Sequence, residues 1–387
     1  MPLPNAAQCL ALTLLGALLC ELEHRRKKCL DKRRLLHDTT EQKHFLRTWR
    51  ATCLSSELPF LEVGPHLGSG AFGSVHRARW RGTQVALKRI NHCSSGETNL
   101  AVSREVMVGQ VMSHPNLVAT YRAFTLWREA DELSDNDKKE AMFQQTFMIQ
   151  ELCEKGNLQR QRPEAKAQID KDYLRGLLWV LKCLLDIAYG VEYMHHSGVL
   201  HGDLKCANVL CKACSTDIRG FICKVCDFGL ALTVEDVTRS VRTDKRGTAQ
   251  YAAPELLRNG SLCRSSDVYS FGMIAWHLVS AGSRDADMTD AQICYQVLEL
   301  GWRPEIPEHL PEGYKSFVRQ CWEEDREKRP SFTELRQHLT QLFKDLQQQR
   351  QQASDTRADS VQFHSHSTVH VQLAGDQPQR GEVSGNV

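Results

Sequence analysis

Between Tyr173 and His196 the chain places Leu177, Leu181, Leu184, Leu185, Ala188 and Val191 at steps of three and four. That period predicts one long helix with a broad apolar face, which needs packing partners along its whole length. Ser197-Gly198 then breaks it. From Phe60 onward, well upstream of this helix, the pattern is one of short β-like runs instead. A β-rich segment followed by a helical one fits an α+β chain. At 387 residues there is room for both and for tails, on a prior of roughly 100–200 residues per domain.

Charge and cysteine usage narrow the classes of function. The formal net charge is +2 with 25% charged residues, which argues against bulk electrostatic binding to nucleic acid. Fifteen cysteines are scattered rather than framed, so they do not read as a disulfide scaffold; a reduced, cytoplasmic setting fits them better.

The break after His196 leads into His201-Gly-Asp-Leu-Lys-Cys-Ala-Asn208, with Asp227-Phe-Gly229 downstream. These stretches supply two carboxylates, an ammonium and an amide. Phosphoryl transfer between a nucleotide and a hydroxyl needs that set: hard oxygen ligands for Mg²⁺, positive charge on phosphate oxygens and an aligned acceptor. Asp203 can take the hydroxyl proton, Lys205 can steady the transferring phosphate, and Asn208 and Asp227 can hold Mg²⁺.

The stretch resembles the catalytic loop and Asp-Phe-Gly motif of eukaryotic protein kinases. Gly68, Ser69, Gly70, Ala71, Phe72 and Gly73, running on to Val75, resemble their glycine-rich loop. Val85-Ala-Leu-Lys88 resembles the strand with the phosphate-binding lysine, and Ala253-Pro-Glu255, Asp267 to Gly272, Cys321-Trp322 and Arg329-Pro330 complete the series. Order and spacing agree from Phe60 to Phe343. Lys205 and Thr248 resemble serine/threonine kinases, while Trp80–Lys88 and Cys321–Pro330 resemble the tyrosine-kinase-like group.

The resemblance implies a bilobal protein kinase fold over residues 60–343, with the small lobe over about 60–153 and the large lobe over about 154–343. It implies ATP and Mg²⁺ as cofactors and protein substrates as partners. The glycines would let backbone amides approach phosphates. Lys88 would grip phosphates and pair with Glu105, and Glu151 to Cys153 would form the hinge that offers backbone groups to adenine. Val75, Ala86 and Leu210 would flank the base, and Gln150 would hold the gatekeeper position behind it. Glu255 would pair with Arg329, and Asp267 would brace the catalytic-loop backbone.

Two residues depart from the pattern. Gly109 stands where kinases usually place a large apolar side chain against the Asp-Phe-Gly phenylalanine. It predicts a gap, a loosely held helix and a rise in basal activity on Gly109→Leu. Gly202 replaces the arginine that receives a phosphorylated activation-loop residue, which puts activation through Thr233, Thr238, Ser240 or Thr243 in doubt. A pseudokinase scaffold is the alternative these departures raise; Lys88, Glu105, Asp203, Asn208 and Asp227 speak against it. A small-molecule kinase fits poorly, because Gly247–Glu255 resembles a peptide-docking element.

Other features carry less. Cys211-Lys-Ala-Cys214 and Cys223-Lys-Val-Cys226 resemble paired zinc motifs, but on strands residues three apart face opposite sides, and the pairs are closely spaced. Residues 1–20 carry no charge and are followed by Arg25–Lys28 and Lys32–Arg34. Two readings stand: a membrane anchor with the kinase on the cytoplasmic side, as at the end of a longer receptor-like chain, or a buried or interfacial helix. The apolar run Ala6–Cys20 falls short of the roughly 20 residues of a spanning helix, which favours the second. Residues 21–59 read as a charged helical linker, Arg128–Glu140 as an insertion in a hairpin, and 344–387 as a disordered Gln/Ser-rich tail.

Overall fold

The computed structural model describes residues 60–70, 73–91, 96–129, 142–233, 240–243, 247–280 and 288–367. The expectations for 1–20, for 21–59, for Ala71, Phe72 and Thr238, and for the chain after Ser367 lie outside these residues. Most of the insertion does too.

Strands β1 (Leu61–Gly70), β2 (Gly73–Trp80), β3 (Thr83–Asn91), β4 (Thr120–Glu129) and β5 (Met142–Glu151) form one antiparallel sheet in the order β1-β2-β3-β5-β4. Helix α1 (Gly96–Val111) enters between β3 and β4. Strand alternation gives the sheet two faces. Val85 and Leu87 turn to one side with Phe124, Phe147 and Ile149, whereas Ile90 and Met148 meet Val102 and Val106 of α1. β4 and β5 stay in register out to Glu129 opposite Met142, so the insertion closes a hairpin.

The helical lobe begins at α2 (Leu158–Lys171) and α3 (Tyr173–His196). Asp172 caps α3, accepting from the amide of Arg175. α3 is the helix predicted from the leucine period, and Leu177, Leu181, Leu184, Ala188 and Val191 are all fully buried. Around it lie β6 (Val199–Leu200), the hairpin β7 (Val209–Ala213) with β8 (Phe221–Val225), and β9 (Leu232–Thr233), which pairs with β6. After β10 (Val241–Arg242) come α4 (Pro254–Asn259), β11 (Ser261–Leu262), α5 (Arg264–Val279), α6 (Asp290–Glu299) and α7 (Glu312–Cys321). Among the described residues no helix is long and apolar enough to cross a membrane.

The C-terminal reading is corrected in part. Helix α8 runs from Phe332 to Ser367, so residues 344–367 are helical rather than disordered. Leu335, Leu339, Leu342 and Leu346 continue a helical apolar stripe onto the large-lobe core, and the Gln and Arg residues beyond are good helix formers. Leu346 is only 3% exposed. Leu346→Ala should therefore lower stability by about 2 kcal/mol or more, read as the urea midpoint; an unchanged midpoint would mean the last buried turn is ornamental.

Candidate active site

Val75 of β2 lies opposite Lys88 of β3, and Ala86 is two residues from Lys88. All three therefore share one face of the sheet, turned toward the helical lobe. From that face the Lys88 ammonium reaches Glu105 on α1 at 2.5 Å and Asp227 of the other lobe at 3.3 Å. Burial opposes the charge on Lys88, but the two carboxylates outweigh it and hold the ammonium above its ordinary range. Asp227 sits at φ +66°, an uncommon backbone for a non-glycine residue. Burial would raise its carboxyl, yet Lys88 overturns this and holds it below the usual range. Its side chain remains 44% exposed, so it still faces a space that a cation could enter.

Below the sheet, Asp203 is held on both carboxylate oxygens. Oδ1 accepts from the Thr248 amide at 3.0 Å and its hydroxyl at 2.9 Å. Oδ2 accepts from Lys205 Nζ at 2.7 Å and Asn208 Nδ2 at 3.1 Å. Lys205 also donates to the Thr248 hydroxyl at 2.7 Å. Asn208 spends its second amide contact on the Asp203 carbonyl, at 2.9 Å, which turns its side-chain oxygen away as the group left to offer a metal. Asp203, Lys205, Asn208 and Asp227 are thus brought to one side of a cleft, with Lys88 and Glu105 opposite.

Support comes from buried polar groups. Asp267, 1% exposed, accepts from His195 Nε2 and from the amides of His201 and Gly202, each at 2.8–2.9 Å. His201 in turn donates to the Cys226 carbonyl and accepts from the Asp203 amide. This role of His201 was not drawn from the sequence, although the residue opens the motif. Gly202 has φ +78°, and a Cβ there would come 3.0 Å from the Leu230 carbonyl. The backbone itself therefore favours glycine where the resemblance leads one to expect arginine.

At the hinge, the Glu151 amide donates to the Ala119 carbonyl. Its carboxylate turns from the cleft to Lys212 at 2.6 Å and Lys224 at 3.0 Å. Lys224, a buried ammonium within β8, also donates to the Pro115 carbonyl at 2.6 Å, tying the hinge to the segment after α1. Sequence reading missed it; a lysine inside the apolar run Phe221–Val225 was the signal. Cys153 is half-buried beside the hinge, and burial pushes its thiol up to about 12, with Glu151 adding to the shift. Leu210 is half-buried on the face of β7 opposite the buried Val209 and Cys211. Gly68, Ser69 and Gly73 lie in the β1–β2 hairpin, where Gly70 pairs with Gly73 across its tip.

The gap expected at Gly109 is absent. A Cβ there would come 2.6 Å from Thr120 Oγ1, the hydroxyl that accepts from Gln150 Nε2 at 3.1 Å. α1 lies so close to β4 that any larger residue must push the Thr120 side chain aside, and Phe228 is buried without a side chain from position 109. The expectation for Gly109→Leu is reversed. The substitution should overpack this contact, costing about 1–3 kcal/mol, and reduce any activity rather than raise it. A raised melting temperature together with a raised rate would refute this.

Of the paired cysteine motifs, Cys211 and Cys223 lie directly opposite each other and are buried, whereas Cys214 and Cys226 sit half-buried beyond the strand ends. Among the described residues no cluster of three or more ligating side chains forms.

A five-stranded antiparallel lobe, a helical lobe and this cleft between them define the bilobal kinase architecture. Residues 61–339 match the family model described as protein tyrosine and serine/threonine kinase. The chain belongs to the protein kinase family, as the resemblance to its serine/threonine, tyrosine-kinase-like members implies. It is 31% identical over 287 residues to the serine/threonine-protein kinase CTR1 of Arabidopsis thaliana, across 73% of this chain and 32% of that protein. It is 30% identical over 287 residues to the probable serine/threonine-protein kinase SIS8 of the same plant, across 73% of this chain and 25% of that protein. A putative serine/threonine-protein kinase/receptor of Acanthamoeba polyphaga mimivirus is 33% identical over 299 residues, across 74% of this chain and 16% of that protein. The chain thus spans no more than about a third of the length of these relatives.

Proposed function

We propose that the chain transfers the γ-phosphoryl group of ATP to serine and threonine hydroxyls of protein substrates in intracellular signalling. The observation that carries this is the Asp203 carboxylate, flanked by Lys205 and Thr248 and set opposite a Lys88 already paired with Glu105. The donor set suits Mg²⁺, since Asp227 and Asn208 supply hard oxygens and Lys88 keeps Asp227 ionised.

Bound Mg²⁺-ATP supplies the transferable group and a cation that screens its oxygens. Lys88 grips phosphate oxygens, and Glu105 keeps it aimed. Backbone groups of the Glu151–Cys153 hinge would hold adenine, with Val75, Ala86 and Leu210 as its apolar neighbours, and amides of the glycine-rich hairpin would hold the phosphates. Asp203 orients the acceptor hydroxyl and accepts its proton, and Lys205 offsets charge on the group in flight. The Lys205–Thr248 contact and the printed names of the relatives support serine and threonine as acceptors. Attachment of residues 1–20 to a membrane is a separate proposal, and fractionation that leaves the full chain wholly soluble would end it.

Phosphoamino-acid analysis of a generic protein substrate, labelled by the purified chain with Mg²⁺-ATP, tests the reading. Phosphoserine and phosphothreonine are the expected products. Phosphotyrosine alone would overturn the specificity, and failure to bind Mg²⁺-ATP at millimolar levels would overturn the reaction.

A further inference from the structure

The nucleotide-facing side of the β1–β2 hairpin is turned inward with Val75, so Ser74 and His76 point the other way, to the face that carries Leu87 of β3. His76 lies directly opposite His66 of β1, and Ser74 directly opposite Ser69. The bulge between His66 and Gly68 shifts the alternation of β1 by one residue. Ser69, three residues from His66, thereby emerges on the same face as His66. The result is four side chains on one outer surface, with the two imidazole rings 5.2 Å apart between centroids and nearly perpendicular. Each ring aims Nε2 toward the hairpin tip: His66 meets the Ser69 hydroxyl at 2.9 Å, and His76 meets the Ser74 hydroxyl at 3.3 Å.

Two imidazole rings set side by side on paired strands, with hydroxyls beside them, offer two nitrogen ligands to a late divalent transition metal. Imidazole suits zinc, copper and nickel, whereas Mg²⁺ demands hard oxygens and goes to the cleft. His66 is exposed and His76 half-buried, so an ion reaches the pair from solvent. The mechanism uses neither residue.

We infer that His66 and His76 bind a zinc-class divalent ion on the outer face of the glycine-rich hairpin, with water or the Ser69 and Ser74 hydroxyls completing its shell. Such an ion cross-links β1 to β2 three to four residues from the Gly70–Gly73 pair at the tip, which must move as nucleotide enters and leaves. Its effect is to stiffen the hairpin and slow turnover. This consequence rests on the function proposed above; the binding does not.

Cobalt(II) titration of the full chain, followed by visible absorption, tests the binding. Wild type is compared with the His66→Gln/His76→Gln double variant, which changes only outer-face side chains. The expected result is a ligand-field band without a thiolate-to-metal charge-transfer band, present in wild type and lost in the variant. No band in wild type, the same band in both proteins, or thiolate bands alone would overturn the site. The last outcome would place the ion on half-exposed cysteines such as Cys214 or Cys294. For the consequence, zinc is titrated into the phosphorylation assay at fixed Mg²⁺-ATP. Losing ligands should cost at least what losing an outer-shell partner does, so the half-inhibiting zinc concentration rises about tenfold or more in the variant. Equal inhibition of the two proteins would overturn the regulatory role. A chain that binds cobalt at the pair but transfers no phosphate would leave the site standing and sink the kinase reading instead.

Discussion

Asp203→Asn should reduce phosphate incorporation into protein by about 10²–10⁴-fold while leaving Mg²⁺-ATP binding close to wild type. The change is isosteric, so the fold has no steric reason to respond. What changes is the pattern of donors. The carboxylate now accepts four hydrogen bonds, from the Thr248 amide and hydroxyl, Lys205 and Asn208. An amide keeps one accepting oxygen and presents an N–H group to donors on its other side, so either Lys205 and Asn208 or the Thr248 pair loses its acceptor. The proposed base is lost at the same time, because an amide does not take a proton from a hydroxyl at neutral pH. The contacts to nucleotide proposed for Lys88, the hinge and Asp227 involve no atom of the substituted side chain. Single-turnover rates beside nucleotide titrations of both proteins check this. A variant with more than about a tenth of wild-type activity would show that Asp203 only aligns the acceptor, since general base contributions lie well above that.

Arg329→Ala should have the largest effect on stability, about 3–5 kcal/mol, the usual cost of removing one partner of a buried ion pair. The guanidinium is fully buried and makes a two-pronged contact with Glu255, at 2.8 and 3.0 Å. It also donates to the carbonyls of Ser265 and Glu323 and lies over the Tyr269 ring. Removing it leaves the Glu255 carboxylate with the Ser266 hydroxyl and the Cys263 thiol in place of a guanidinium. Domains are stable by about 5–15 kcal/mol, so the variant should melt far below wild type or fail to accumulate. Adding Glu255→Gln to Arg329→Ala should recover part of the loss, because no bare charge is then buried. A melting temperature unchanged in the single variant would mean that this contact is only a surface-like pairing.

Both effects depend on groups whose identity is plain in the chain but whose contacts are not. Thr248 lies 45 residues beyond Asp203, and Arg329 lies 74 beyond Glu255. Motif order could name these residues, and for Glu255 with Arg329 the resemblance also names the pairing. Other readings failed where a contact has no sequence signature. Gly109 looks like a hole on a helix drawn alone and becomes a tight fit once the Thr120 hydroxyl of β4 is seen 2.6 Å from where its Cβ would be. Residues 344–367 read as a disordered Gln/Ser-rich tail until Leu346 is seen docked on the core, anchoring a helix that runs on to Ser367.

By itself the sequence determined the kinase class, the long buried helix α3 and the residue types of the cleft. Periodicity and ordered motifs are local properties that each segment carries with it. Only the tertiary structure decided which faces meet: Lys88 bridging two lobes, Lys224 tying the hinge to the segment after α1, and His66 brought opposite His76 by a bulge. Those outcomes follow from strand register and the approach of packed layers, and both arise from contacts between residues remote in the chain.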